Sequence, residues 1–329
     1  MLEMPMKALL CTRYGTPDDL EITDLADPAP GPGQVVVRIR AAALNFFDTL
    51  IIAGKYQTKP PMPFSPSAEF AGEVESLGAG VTALRVGDRV MAYTRYGAAR
   101  ERIAVAADRA IKIPDGLDFD RAAGLCVTYG TTHYALNQRG DLAPGETLAV
   151  LGASGGVGLA AIEIGKLMGA RVIACASSPE KLAFAQQHGA DEIIDYSKED
   201  LKEALRRLTD GNGVDVVYDP VGGPFSEPAL RAMAWLGRFL VIGFAAGEIP
   251  KLPLNLVMLK SCDVRGVLWG GWTERDVAGY RASTEQLIAW AAQGKLSSHV
   301  HAVYPLAEAP AALKAIAARQ VMGKVILRP

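Results

Sequence analysis

One stretch limits what this chain can fold into more than any other: Leu148-Ala149-Val150-Leu151-Gly152-Ala153-Ser154-Gly155-Gly156-Val157-Gly158, an apolar run that breaks into glycines. The segment before it is rich in turn formers, so residues 148–151 read as a short strand buried on both faces of a parallel sheet. After the glycines, Leu159, Ile162, Ile164, Leu167 and Met168 recur at helical spacing, and Gly169 stands where such a helix would stop. A second apolar run, residues 171–176, completes a strand-turn-helix-strand unit of about 30 residues. The start of such a helix offers free N–H groups to an anion such as a dinucleotide pyrophosphate. Gly155 would let backbone approach it, and Gly158 would let the helix pack close to the strand. Strict G-x-G-x-x-G spacing needs a glycine at 153, where this chain has Ala153. On these residues alone an ordinary glycine-rich turn therefore stays open.

At 329 residues, 50% hydrophobic and 21% charged, the chain is long enough for two globular domains. A formal charge of −2 gives no footprint for nucleic acid or an anionic membrane surface. Glu163 and Lys166 interrupt the most apolar region well short of a membrane span. Residues 1–6 read as a short ragged extension without a cationic leader, so the expected compartment is the cytoplasm. Cys11, Cys126, Cys175 and Cys262 are scattered, with no C-x-x-C pair; they read as reduced, buried small hydrophobes.

From Lys7 to about Lys112 the pattern is short β runs between Pro/Gly turns, and from about Phe119 helices alternate with apolar strands. Past Cys262 the signal mixes again and closes on a strand over 324–327. The expected organisation is an α/β chain: a β-rich domain over 1–122, a doubly wound parallel-sheet domain over 123–264, and a return to the first domain over 265–329.

The landmarks in order are Leu44-Asn45-Phe46-Phe47-Asp48, Gly54-Lys55-Tyr56, Val86-Gly87-Asp88-Arg89-Val90, Gly130-Thr131-Thr132-His133-Tyr134, the glycine turn, Asp219-Pro220-Val221-Gly222-Gly223 and Gly323-Lys324-Val325. With them the whole chain resembles the zinc-independent branch of the medium-chain dehydrogenase/reductases, nearest to the NADPH:quinone oxidoreductase (zeta-crystallin-like) group. The resemblance implies a GroES-like substrate domain, a Rossmann domain and a homodimer. It also implies departures from the zinc alcohol dehydrogenases. Their ligating Cys is replaced by Asn45, and their Gly-His-Glu reads Ser67-Ala68-Glu69. Two zinc ligands are lost, and an amide is a poor substitute for thiolate or imidazole. No metal is expected.

NAD recognition in such folds uses an acid roughly 20 residues past the glycines. Here the second run ends Cys175-Ala176-Ser177-Ser178 and Lys181 follows. Hydroxyls and an ammonium suit a 2′-phosphate, which points to NADPH. The same residues also read as a helix start, with Ser178 as cap and Lys181 on a solvated face. The resemblance assigns the cofactor to Ser154, Gly155, Gly156, Val157, Ser177, Ser178, Lys181, Tyr196, Gly243, Phe244, Leu268 and Trp269. It places Asn45 and Thr132 beside the nicotinamide and Tyr56 in the substrate pocket, these three forming the catalytic set. Asp48 reads as fixing a loop, and Trp269-Gly270-Gly271-Trp272 as either a lid or a plain aromatic turn.

The expected reaction is metal-free hydride transfer from NADPH to a quinone or α,β-unsaturated carbonyl, a small electrophile that delocalises the incoming charge. An enoyl-CoA (acryloyl-CoA-type) reductase is the enzymatic alternative. An NADPH-binding structural or RNA-binding protein of the zeta-crystallin type is the non-enzymatic one.

Overall fold

The computed structural model describes residues 5–329. It divides into two compact units, one made of residues up to Val127 together with Ala278–Pro329, the other of Thr128–Val277. The divisions fall after 127 and 277, beyond the expected 122 and 264, because the strand and helix at 263–275 belong to the second unit. Of the expected N-terminal extension, residues 1–4 lie outside the described residues. Met6 does not belong to an extension: it opens a strand, Met6–Leu10, that pairs antiparallel with Glu21–Leu25.

The first unit is β-rich. Its seven-stranded sheet runs Val300–Pro305, Lys324–Arg328, Gln34–Leu44, Glu69–Leu77, Arg89–Tyr93, Ile111–Lys112, with Arg102–Ala106 also paired to Gln34–Leu44. The long central strand carries valines, alanines and Ile39 that are almost wholly buried. Its antiparallel register sets Val325 opposite Leu44 on one side and Glu69 opposite Ala43 on the other. Three strand ends thereby bring Asn45, Glu69 and Lys324 to one place.

The second unit holds a six-stranded parallel sheet. In chain order its strands are β1 (Thr147–Leu151), β2 (Arg171–Ala176), β3 (Glu192–Asp195), β4 (Val214–Asp219), β5 (Met233–Val241) and β6 (Asp263–Gly266). They lie in the order 3-2-1-4-5-6, which is the Rossmann order, with the topological switch between β1 and β4. Strands β1 and β4 are buried almost throughout, as a sheet covered on both faces requires. Helix α1 (Gly156–Leu167) follows β1, and α2 (Pro179–Gln187) follows β2.

Strand β5 ends at Val241. The N–H groups of Ile242 and Gly243 both turn to the Asp219 carbonyl, and the next residues bond to the loop after β4 instead of continuing the sheet. Residues 269–275 form a helix and not a plain aromatic turn. Its Trp269 packs onto Gly130, where a Cβ would fall 2.7 Å from the indole, and Trp272 stacks on Tyr134 at 4.7 Å.

Candidate functional site

In the second unit the carboxyl ends of the strands collect most of the residues singled out in the sequence, as expected at a switch point. The turn after β1 begins at Gly152, whose φ of +60° favours glycine. A Cβ on Gly158 would lie 2.3 Å from the Gly152 carbonyl oxygen, so only glycine lets α1 start this close to β1. Gly155 differs from both: a Cβ there would have only the Gly152 carbonyl within 4 Å, at 3.5 Å. Space left unfilled in front of Gly155, beside the free N–H groups that open α1, fits a phosphate. Ser154 is buried, and Gly156 and Val157 are half-buried in the first turn of that helix.

At the end of β2, Ser177 is exposed and the Ser178 hydroxyl accepts from the Lys181 N–H at 3.3 Å, capping α2 with Pro179 at its first position. The cap leaves the Lys181 side chain uncommitted to it. Tyr196 joins the same edge, because its N–H donates to the Ala176 carbonyl and its ring lies 4.3 Å from that of Phe225. No carboxylate stands in 175–181 except Glu180, in the first turn of α2.

The loops after β4 and β5 are tied together. Asp219 accepts from the N–H groups of Val221 and Gly222, both at 2.8 Å, and from the Ser226 hydroxyl; burial pushes its pKa up against those donors. Ala245 and Ala246 donate back to Pro220 and Val221. This lattice fixes half-buried Gly243 and exposed Phe244. Leu268 is exposed after β6, while Trp269 is buried.

Thr132 sits on the short helix Gly130–His133 and is fully buried. Its hydroxyl bonds to the Thr128 carbonyl and to the Tyr218 hydroxyl, each at 2.8 Å, and lies 3.4 Å from the Val157 carbonyl. It braces the glycine turn. Tyr218, its buried partner on β4, was not singled out from sequence, where it reads as one more apolar strand residue.

In the first unit Asn45 precedes the helix Phe46–Ile52. Its side chain bridges an ion pair that spacing did not reveal. Lys324 Nζ donates to Asn45 Oδ1 at 2.6 Å and to Glu69 Oε1 at 2.8 Å, and Asn45 Nδ2 donates to the same Glu69 oxygen at 2.9 Å. Glu69 Oε2 accepts from the Val127 N–H at 2.7 Å. The only sequence hint was a lysine opening an otherwise apolar strand. Asp48, wholly buried, accepts from the N–H groups of Asn45 and Ser67 and does fix the loop. Desolvation pushes its pKa up to about 7 despite those donors and the Lys324 charge. Tyr56 is half-buried and stacked on Phe47 at 5.4 Å; burial and the Asp48 charge push its phenol up. Among the described residues no group of three or more His, Cys, Asp or Glu is placed to hold a metal ion, and no helix is long and apolar enough to cross a membrane.

Two family models match the chain: "Alcohol dehydrogenase GroES-like domain" over residues 31–115 and "Zinc-binding dehydrogenase" over residues 156–292. Quinone oxidoreductase-like protein 2 of Rattus norvegicus is 37% identical over 322 residues, covering 98% of this chain and 91% of its own. The quinone oxidoreductase of Pseudomonas aeruginosa is 37% identical over 325 residues, covering 98% of this chain and 99% of its own. Among solved structures, Escherichia coli quinone oxidoreductase complexed with NADPH superposes with a TM-score of 0.90 at 29% identity, covering 99% of this chain and 100% of that one.

Proposed function

Because the chain belongs to the quinone oxidoreductase family of the medium-chain dehydrogenase/reductases, we propose that it is an NADPH-dependent reductase of quinones or α,β-unsaturated carbonyls that works without a metal. The observation that carries the cofactor is the turn after β1. Gly155 is open where the neighbouring glycines are needed for fold or packing, and the end of β2 offers Ser177, Ser178 and Lys181 in place of a ribose-binding acid. Tyr196, Gly243, Phe244, Leu268 and Trp269 complete the residues we assign to NADPH. Bound there, the cofactor supplies the hydride.

The chain's own residues do the rest. Asn45 donates a hydrogen bond to the acceptor oxygen as it gains charge, Tyr56 lines the acceptor pocket, and Thr132 holds the glycine turn through Val157 and Tyr218. A conjugated acceptor spreads negative charge over its own atoms, so a hydrogen bond suffices where an isolated ketone would need a Lewis acid. The residues themselves disfavour a metal: Ala68 has no ligand atom, and the Asn45 oxygen already accepts from an ammonium that would repel a divalent cation.

NADPH oxidation measured with 1,4-benzoquinone, a 2-alkenal and a short enoyl-CoA tests the reading. Turnover of the first two, unchanged by chelators, is expected. Preference for the thioester would favour the enoyl-CoA reductase, and NADPH binding without turnover of any of the three would favour a structural or RNA-binding role.

We also propose a homodimer. Strand β6 is an open sheet edge, and Trp235, Leu236, Leu254, Met258 and Leu259, from β5 and the helix Leu254–Lys260, are exposed apolar side chains. Sedimentation should show twice the chain mass, and Val264→Asp on β6 should halve it. Four buried free cysteines suit a reducing compartment, in keeping with a cytoplasmic protein.

A further inference from the structure

We propose that Lys324 and Glu69 are positioning residues for the reduction, fixing the side-chain amide of Asn45 so that its NH2 and not its carbonyl faces the acceptor; this rests on the reading of Asn45 given above. An asparagine amide has two ends of nearly equal shape and opposite hydrogen-bonding character, so its neighbours decide which way it points. Here they leave no choice. An ammonium can only donate, and Lys324 Nζ sits 2.6 Å from Oδ1; a carboxylate can only accept, and Glu69 Oε1 sits 2.9 Å from Nδ2. Flipping the amide would set NH2 against ammonium and carbonyl against carboxylate, replacing two hydrogen bonds with two repulsions. Water cannot soften that exchange, because Glu69 is 0% and Lys324 3% exposed.

The hydrogen inventory shows what remains for chemistry. Lys324 spends its three hydrogens on Asn45, Glu69 and the Leu44 carbonyl at 3.3 Å, so it has none to give a substrate. Glu69 spends one oxygen on the Val127 N–H and the other on Asn45 and Lys324. Asn45 gives one Nδ2 hydrogen to Glu69, and the second has no partner among the described residues. Asn45 is also the member of the trio with the most exposure, 7%. The buried pair therefore acts through Asn45, holding a preoriented donor for an oxygen that gains charge. Gly124 leaves room for the arrangement: a Cβ there would lie 3.1 Å from Lys324 Cγ.

A mutant cycle tests the inference. Asn45→Ala should lower kcat for the quinone about 100-fold, the usual cost of one donor to a developing oxyanion, with NADPH affinity unchanged. The neutral pair Glu69→Gln/Lys324→Met leaves no unpaired buried charge. It should lower kcat about tenfold or more, also with NADPH affinity unchanged, and the triple variant that adds Asn45→Ala should then be no slower than Asn45→Ala alone. If Asn45→Ala keeps its kcat, the reading of Asn45 as donor fails. If Asn45→Ala is slow but the neutral pair turns over at the wild-type rate, or the losses multiply in the triple variant, the positioning role fails while Asn45 stands. The wild-type protein gives a second readout that no folding defect can obscure. The two Asn45 side-chain amide hydrogens, assigned in NMR spectra by their loss in Asn45→Ala, should exchange with solvent at different rates, the one on Glu69 more slowly; equal rates would overturn the proposal.

Discussion

The glycine turn after β1 and the Asn45–Glu69–Lys324 cluster are the polar centres of the two units, and they are built in opposite ways. The turn is made of consecutive residues and works through backbone: a positive φ at Gly152, a missing Cβ at Gly158, an open face at Gly155. The cluster is made of three side chains drawn from sequence separations of 24 to 279 residues, and works through charge and hydrogen-bond direction. Backbone devices tolerate a change of side-chain chemistry but not of volume. Buried charge pairs show the reverse sensitivity, and each variant below tests one side of that contrast.

The largest effect is expected in the cluster. Lys324→Met keeps the volume and removes the charge, leaving Glu69 buried without its cation, which should cost about 3–5 kcal/mol. Urea titration of the variant would show it as a fall in midpoint, and adding Glu69→Gln should recover most of the loss. A small loss with no recovery would mean that the pair contributes little to the fold and that the contrast with the turn is overdrawn.

Asp48, beside the same cluster, gives the contrast a pH dependence. Its folded pKa of about 7 lies above the ordinary carboxylate range, so between about pH 4 and 7 the folded chain binds more protons than the unfolded one. That linkage makes stability fall as pH rises through this window, by about 4 kcal/mol, and level off above it. Denaturant midpoints measured from pH 4.5 to 8 should show the decline, and Asp48→Asn should flatten it. A flat profile across the window in the wild-type protein would mean that the N–H donors from Asn45 and Ser67 offset burial.

In the turn, volume decides. Gly158→Ala places a methyl 2.3 Å from the Gly152 oxygen, and the helix must back away from the strand. A loss of about 1–3 kcal/mol is expected, together with weaker NADPH binding, read by thermal melting and by fluorescence titration. An unchanged melt would remove the packing reason for glycine at this position.

These differences also explain what could be read from the residues in order. The turn, its flanking strand and helix, and strand β2 are local patterns, legible because periodicity and turn chemistry act within a few residues. Asn45 could be singled out only through resemblance, and Glu69 and Lys324 as its partners not at all. They meet because strand register sets Val325 opposite Leu44 and Glu69 opposite Ala43, and register between distant segments leaves no mark on either one. Tyr218 escaped for the same reason, since its hydroxyl matters only once β4 lies beside the helix that carries Thr132. The end of β5 is set the same way, since Ile242 and Gly243 satisfy their N–H groups on the Asp219 carbonyl at the end of β4.

The smallest effect tests whether charge matters in the turn's neighbourhood at all. Lys181 has two roles open to it: a half-buried helix-face residue whose N–H is capped by Ser178, or the cation beside a 2′-phosphate. Lys181→Glu separates them, because the cap uses only backbone N–H and survives the change, so stability should hold. A carboxylate placed near a dianionic phosphate is repelled, whereas the 2′-hydroxyl of NADH can still donate to it. NADPH affinity should therefore fall tenfold or more, about 1.4 kcal/mol or above, while NADH affinity changes little. Equal losses for both cofactors would leave Lys181 as helix surface and return the 2′-phosphate to Ser177, Ser178 and Tyr196. A selective loss would show that the second unit, whose phosphate turn is all backbone, still relies on a side-chain charge to choose between cofactors.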